Sequence, residues 1–547
     1  MKQWSKALKR LFAFRFTGLS LTWSVYFLFK FGLHILGFIA FSIPLNLLLC
    51  FALCVKFVKR RLNQPYRALT ALAAIALLYH DTYLPSLGQI AAQKDNIAGF
   101  SLSYILEFLQ GFINLNMVYA LLLLVVLVFF LKDWIRMTTV VFTLFLVVGA
   151  GNLQTLLRAP TPELTAQTQE DEGESALSNG DILPQRGAFT QDNLERYLNE
   201  FFAHEQKRKI RLPEALKPDY EPFNIVLVNI CSLADDDLAA TGLNMHPVFA
   251  KFDLTFKRFN GATSYSTPAS LRLLRMSCGQ ESEHTMYQGR REECEILTQL
   301  TQLGFTSSVF MDHNGEYGNY LKSLRELAGL KSSLNDLSKL GMRYRSFDGT
   351  PIYSDSDVFH QYLETMGLGD IYNNAAFFNL ISLHDGNRDA KTQESVNYGT
   401  RLKKLLDDLD LFIERLEQGK RKTLLVMLPE HGAAVRGDKM QMARLREIPT
   451  AKITKIPVYV KFIATGRDQG AMQRLEGSYS YLAISELIRR TLEENYFAPQ
   501  AKADLSTLTD DLPQTAFVSE STNAFFMIFR NKDYFRLKDG EWTEYVY

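Results

Sequence analysis

Apolar residues are spread unevenly along the 547-residue chain. Before residue 155 they come in long runs, and after about residue 190 they fall into short blocks between polar stretches. Five early segments predict membrane-crossing helices: 24–43, 45–58, 67–83, 115–131 ("LNMVYALLLLVVLVFFL") and 137–153. A hydrocarbon core of about 30 Å asks for roughly 20 residues of helix, so the short second and third segments predict a tilted or re-entrant pair. Because the runs recur, a single cleaved signal peptide does not explain them.

The later part predicts a different architecture. "FNIVLVNI" (223–230), "SSVFMD" (307–312), "FFNLISL" (377–383), "TLLVMLP" (423–429) and "PVYVKFI" (457–463) read as strands. Helical patterns such as "YGTRLKKLLDDLDLFIERLEQG" separate them, which predicts a mostly parallel sheet covered on both faces. An amphipathic helix over 191–208 leads in. Residues 155–190, rich in Glu, Ser, Thr, Gln, Gly and Pro, predict a flexible tether. The expected domains are therefore a five-span membrane part (1–154), a linker (155–190) and a catalytic domain (191–547).

Charge sharpens the division. Residues 1–155 hold 14 of the 60 Lys and Arg but only 4 of the 59 Asp and Glu, so a net charge of +1 hides a basic part and an acidic part. The positive residues gather before the first segment (Lys2, Lys6, Lys9, Arg10, Arg15), between the second and third (Lys56, Lys59, Arg60, Arg61, Arg67) and between the fourth and fifth (Lys132, Arg136). The opposite loops carry only Lys94, which predicts a cytoplasmic N-terminus and a periplasmic soluble domain in a Gram-negative inner membrane. Lys30, inside the first segment, reads as a snorkelling side chain or a lipid-headgroup contact.

An oxidising compartment gives the cysteines meaning. Cys278 and Cys294 are the natural disulfide pair, closing a loop whose cross-link would stabilise by roughly 3 kcal/mol. Cys231 is left over at the end of a predicted strand, either as a small buried hydrophobe or as a metal ligand.

In sheets of this kind function gathers at the carboxyl ends of strands. Those ends carry Cys231-Ser232, "DHNGEYG" (His313), "HDGN" (His384) and "EHG" (Glu430, His431), three histidines out of the nine in the chain. Cys231, Glu430 and His431 together offer sulfur, oxygen and nitrogen ligands, a set that suits zinc better than magnesium or calcium. His384 is then free to act as an acid or base. A run of five hydroxyls, "TSYST" at 263–267, precedes Pro268 and a helical pattern. Ser266 or Thr267 can cap that helix, and a helix N-terminus can also receive a phosphate. Local sequence does not choose which hydroxyl would do chemistry.

The motifs "NICSL", "FNGATSYSTPASLRLLRMSCGQ", "DHNGEYG", "LHDGN", "PEHG" and "LREIP", in this order, resemble the cellulose phosphoethanolamine transferases of bacterial cellulose-secretion systems. The resemblance implies an α/β/α alkaline-phosphatase-like (sulfatase-like) domain beside a cellulose synthase complex in the inner membrane. It implies zinc-dependent transfer of phosphoethanolamine from phosphatidylethanolamine to the 6-hydroxyl of glucose in cellulose, with no role for nucleic acid. Ser266 matches the nucleophile, Cys231, Glu430 and His431 match zinc ligands alongside the Ser266 oxygen, and His384 matches a catalytic histidine. Tyr265 and Arg446 match residues lining the site, and His313 joins them as a candidate for substrate contact. Relatives that modify lipid A usually carry a carboxylate, a threonine and an aspartate where this chain has Cys231, Ser266 and Glu430, which argues against a lipid A acceptor. Two rival readings stand beside transfer: a zinc-dependent phosphodiesterase or sulfatase-like hydrolase, and a structural subunit of the secretion complex.

Overall fold

The computed structural model describes residues 14–35, 39, 41–57, 60–82, 115–157, 183–187, 189–367, 373–466, 470–538 and 540–547. They divide into two compact units, one holding the helices up to residue 157 and one holding everything from residue 183 onward. The predicted tether over 155–190 lies for the most part outside the described residues, as does Lys94.

The first unit contains helices α1 (Leu21–Ile35), α2 (Ile43–Leu53), α3 (Arg60–Asp81), α4 (Leu115–Leu131) and α5 (Met137–Leu157). Among the described residues no helix is long and apolar enough to cross a membrane, which overturns the five predicted spans. The physical reasons differ by helix. The first predicted span is broken: α1 is described over Leu21–Ile35, Phe41 and Ser42 lie outside any helix, and α2 begins afresh with a proline in its first turn. α2 has 11 residues and α4 has 17, or about 16 and 26 Å against a core of about 30 Å. α3 has the length, with 22 residues, but opens with Arg61, Asn63, Gln64 and Arg67. The apolar run of α5 ends near Val148 and gives way to Gly149, Gly151, Asn152 and Gln154.

Lys30 neither snorkels nor meets solvent in this structure. It is completely buried and its ammonium donates to Asp81 Oδ2 (2.7 Å) and Asn46 Oδ1 (2.7 Å). Asn46 Nδ2 closes the triangle on Asp81 Oδ2 at 2.6 Å. Around it Phe27, Phe31, Phe41 and Phe145 form the unit's apolar core.

The second unit is built on a seven-stranded sheet: β1 (Asn224–Ile230), β2 (Leu254–Asn260), β3 (Thr306–Met311), β4 (Asn374–Leu380), β5 (Thr423–Pro429), β6 (Lys455–Ile463) and β7 (Gln473–Tyr479). The order across the sheet is β7-β2-β6-β5-β1-β4-β3. β5, β1, β4 and β3 run parallel to one another, β7 runs parallel to β2, and β6 is antiparallel to both of its neighbours. Alternation along β1 explains the layering: Ile225 and Leu227 enter one core, while Val226, Val228 and Ile230 enter the other.

The flanking helices are α6 (Gln191–Glu205), α7 (Asp235–Thr241), α8 (Ser266–Leu274), α9 (Tyr320–Ala328), α10 (Asp355–Gly367), α11 (Tyr398–Gln418) and α12 (Tyr481–Glu493). One face of the sheet is covered by α8, α9 and α12, through residues such as Leu273, Leu324 and Ile484. The other is covered by α10 and α11, through Phe359, Leu405 and Phe412. A smaller antiparallel sheet, β8 (Val518–Glu520), β9 (Ala524–Phe529), β10 (Lys532–Leu537) and β11 (Thr543–Glu544), packs on α6 through Tyr197, Phe201, Met527 and Phe529. The Cys278–Cys294 disulfide is formed.

Candidate active site

Register does the first part of the assembly. Ile230 of β1 lies opposite Pro429 of β5 and Leu380 of β4, so three parallel strands end level with one another. The next residues on β1 and β5 are Cys231 and Glu430, followed by Ser232 and His431. Backbone bonds carry the pairing past the strand ends: Cys231 N to Leu380 O (2.9 Å), Glu430 N to Ile230 O (2.9 Å) and Leu233 N to His431 O (2.6 Å). Ser232 takes a left-handed φ of 66°, held by the Tyr398 hydroxyl donating to its carbonyl at 2.6 Å. The chain leaving β2 passes so close to β5 that a Cβ on Gly261 would sit 2.6 Å from the Glu430 carbonyl oxygen, which leaves room for glycine alone.

Ser266 arrives from that crossing. The cap of α8 is Tyr265, through its extended backbone, and no side chain caps the helix. Neither Ser266 nor Thr267 is the cap, because both lie inside the first turn. The Ser266 hydroxyl is thereby free to face the strand ends, 3.3 Å from Cys231 Sγ and 3.3 Å from His431 Nε2. Ligand atoms of Cys231, Glu430 and His431 lie within 4.8 Å of one another, and all three residues are buried.

Glu430 is fixed by groups that the sequence reading passed over. Its Oε1 accepts from Asn379 Nδ2 (2.7 Å), Asn229 Nδ2 (2.9 Å) and Ser270 Oγ (3.1 Å). Ser270 has one proton to give, so the Tyr320 hydroxyl at 2.7 Å donates to it in turn. Asn229 and Asn379 are register partners, each the single amide near the end of an apolar strand, which is the signal that could have found them. With Oε1 saturated, Oε2 is buried with no hydrogen-bond partner and stands 3.8 Å from His431 Nε2.

The electrostatics of this group are unfavourable without a cation. Burial pushes the Cys231 thiol upward, and the Glu430 carboxylate adds to it. Burial also raises Glu430 and drives His431 well below the usual imidazole value, with the charge of Arg446 reinforcing the second effect. Two buried acids, a neutral imidazole and an orphaned carboxylate oxygen within one small volume make a donor set that fits zinc. His431 Nδ1 lies 3.0 Å from the Gly432 carbonyl, and Nε2 is the ring nitrogen that faces Ser266. Arg446 Nη1 stands 3.0 Å from the same Nδ1.

His384 lies four residues beyond β4. Its Nδ1–H donates to the Asp385 carbonyl (2.8 Å), and Arg401 pins the loop by donating to the carbonyls of Ser382 and His384. Burial, then the charge of Arg446, lowers its pKa to about 4, so it is neutral at neutral pH with Nε2 available as a base. Tyr265 donates through its hydroxyl to Glu447 Oε1 at 3.1 Å. His313 is buried, accepts from Gly315 N at Nδ1 (3.1 Å) and donates through Nε2 to Asn379 Oδ1 (2.8 Å). Both of its nitrogens are engaged, so it positions Asn379, and through it Glu430, and has no free nitrogen for a substrate.

Asp237 on α7 was also invisible in the sequence. Its carboxylate accepts from the backbone N–H of Ala234 (2.9 Å), Ala433 (2.8 Å) and Val435 (3.2 Å), tying α7 to the loop that follows His431.

Comparison with known proteins places the chain beside one group. The family model "Cellulose biosynthesis protein BcsG C-terminal domain" matches residues 179–542, and "Cellulose biosynthesis protein BcsG N-terminal domain" matches residues 23–150. The chain is 39% identical over 535 residues to the cellulose biosynthesis protein BcsG of Salmonella typhimurium, covering 96% of each protein. It is 38% identical to the protein of the same name from Escherichia coli K12, again over 96% of both. Among solved structures it is similar to a protein in the alkaline phosphatase superfamily from Vibrio parahaemolyticus, with a TM-score of 0.45 and 11% identity over 65% of this chain and 88% of that one. It is also similar to the C-terminal periplasmic domain of EcEptC from Escherichia coli, with a TM-score of 0.37 and 12% identity over 57% of this chain and 94% of that one.

Proposed function

The chain belongs to the family of the cellulose biosynthesis protein BcsG, and we propose that it transfers phosphoethanolamine from phosphatidylethanolamine to the 6-hydroxyl of glucose in cellulose. One observation carries the reading: a serine hydroxyl at a helix start is held 3.3 Å from both a thiol and an imidazole nitrogen, beside a buried carboxylate oxygen that has no partner. The orphaned Glu430 Oε2 stands among candidate ligands, where a cation would supply its missing partner.

Cys231, Glu430 and His431 would hold a zinc ion beside Ser266, where such an ion lowers the pKa of a hydroxyl and offsets charge on a phosphoryl oxygen. Ser266 Oγ forms the new bond to phosphorus, the bond from phosphorus to the diacylglycerol oxygen breaks, and the Ser266 proton ends on that oxygen. In the second step the glucose 6-hydroxyl attacks phosphorus, the bond to Ser266 Oγ breaks, and the hydroxyl proton passes to Nε2 of neutral His384 and on to Ser266. Arg446 faces the anionic oxygens throughout. The formed Cys278–Cys294 disulfide supports a periplasmic location for the catalytic unit, in contact with the cellulose synthase complex that supplies the acceptor.

The test is phosphorus NMR of cello-oligosaccharide incubated with the full chain, zinc and phosphatidylethanolamine. A new phosphodiester resonance coupled to the C6 protons is expected. Free phosphoethanolamine with unmodified glucan would make the protein a hydrolase, and no turnover at all would leave the structural-subunit reading.

A further inference from the structure

Two residues next to Ser266, His431 in space and Tyr265 in sequence, each contact one of two opposite charges that come from consecutive residues. One path runs from Ser266 through His431 to the Arg446 guanidinium, with contacts of 3.3 and 3.0 Å. The other runs from Ser266 to its neighbour Tyr265, whose hydroxyl donates to Glu447 Oε1 at 3.1 Å. Glu447 is held in place from behind: Asn523 Nδ2 donates to Oε2 at 3.2 Å, and Ser521 Oγ donates to the Glu447 carbonyl at 2.7 Å. The carboxylate is half-buried, and its hydrogen-bond donors are both neutral groups. Among the described residues no cation of the protein forms an ion pair with it.

A fixed, partly desolvated carboxylate without a protein cation is an incomplete ion pair. Its position next to Arg446 supplies the other half of a dipole, positive at 446 and negative at 447. We propose that Glu447 is a specificity residue that binds the ammonium end of a zwitterionic phosphodiester donor, while Arg446 meets its phosphate. The inference rests on the transfer reading above and extends it from the reacting phosphorus to the headgroup. A phosphodiester on Ser266 would have Arg446 one residue away through His431 and Glu447 one residue away through Tyr265, and of these two groups only Glu447 can pair with an alkylammonium arm. Choline-type headgroups bring three methyl groups in place of the N–H donors that Glu447 can accept, and neutral or anionic headgroups bring no positive charge.

The experiment compares p-nitrophenyl phosphoethanolamine with its isostere that lacks the ammonium, p-nitrophenyl propyl phosphate, on the zinc-loaded full chain and its Glu447→Gln variant. Glutamine keeps an oxygen acceptor for Tyr265 and removes the charge, with the acceptor for Asn523 replaced by an amide nitrogen. A charge-assisted contact predicts that the wild-type protein favours the ammonium diester by about tenfold or more in kcat/KM. In Glu447→Gln the ratio falls toward one. If both diesters slow equally and the ratio is kept, Glu447 serves only to position Tyr265 and the proposal is overturned. The wild-type ratio is a second measurement that needs no variant to fold, and absence of a preference there also overturns it. Release of nitrophenolate from neither diester defeats the transfer reading itself, and this inference with it, whereas release from both without preference defeats this inference alone.

Discussion

Two buried polar clusters, one in each unit of the protein, are finished to different degrees. In the first, Lys30, Asn46 and Asp81 share three hydrogen bonds of 2.6 to 2.7 Å, Asn46 also donates to the Ser42 carbonyl and His80 Nδ1 lies 3.1 Å from Asp81 Oδ1, so none of their buried side-chain atoms is left over. In the second, Cys231, Glu430 and His431 converge, yet Glu430 Oε2 has no partner and burial disfavours the ionised thiol and carboxylate. Burying polar groups costs several kcal/mol in either place unless they are paired. A closed cluster recovers that cost within the protein and needs nothing further. In an open one something else can complete the set, and here the incompleteness coincides with a convergence of sulfur, oxygen and nitrogen ligands.

The largest effects are expected from the open cluster. Ser266→Ala should lower transfer by roughly 10⁴-fold, since the nucleophile acts as a unit with its surroundings. Intact-mass measurement with phosphatidylethanolamine should show a phosphoethanolamine adduct on the wild-type protein and none on the variant. The thermal midpoint should barely move, because the hydroxyl contributes to chemistry and little to packing. Cys231→Ala should lose bound zinc in metal analysis, and a chelator that destabilises the wild-type protein should then have no further effect. Full zinc retention by that variant would place the thiol with the closed kind of cluster, as a small buried hydrophobe.

The closed cluster should respond in stability and leave the chemistry alone. Lys30→Met strands Asp81 in an apolar core, at a cost of about 3–5 kcal/mol. Replacing Asp81 as well, by Leu, should recover most of it, as measured by denaturant unfolding of the full chain. Zinc content should be unaffected in both variants. If Lys30→Met instead abolished transfer at unchanged stability, the contrast between a structural and a functional cluster would fail.

The same contrast explains what could be read in the sequence. β1, β4 and β5 are buried on both faces, so they appear as unbroken apolar runs, and residues just past their ends were legible as candidate ligands. β2 and β7 were not legible, because Lys257 and Glu476 break their runs to form an exposed ion pair at 2.7 Å. Ser266 follows β2, which is why local sequence could not separate it from its four hydroxyl neighbours. Asn229, Asn379 and Ser270 were hidden by lying inside elements, since pattern alone shows a polar residue in a strand as an interruption and not as a clamp. The spans were over-read for the opposite reason: apolar composition is visible in sequence, but the break before Pro44 and the polar end of α5 decide whether a helix is long enough.

A smaller, pH-dependent effect should distinguish the support of the open cluster from its ligands. Burial holds the His313 pKa at about 4, against an ordinary imidazole value of 6.5, while both ring nitrogens stay engaged with Gly315 and Asn379. Between those two values the unfolded chain takes up a proton that the folded protein refuses. The unfolded state therefore binds more protons, and stability falls as pH drops from about 6.5 toward 4. The contribution of this one residue is on the order of 3 kcal/mol. Measured on chelated protein, so that loss of zinc does not enter, His313→Gln should flatten the acid side of the stability profile while lowering stability at pH 7. Glutamine can still donate to Asn379 Oδ1, so zinc affinity measured at pH 7 should fall by much less than in Cys231→Ala. An unchanged acid profile would mean that His313 titrates normally, and the chain of hydrogen bonds from His313 through Asn379 to Glu430 would then be too loose to hold the carboxylate in place.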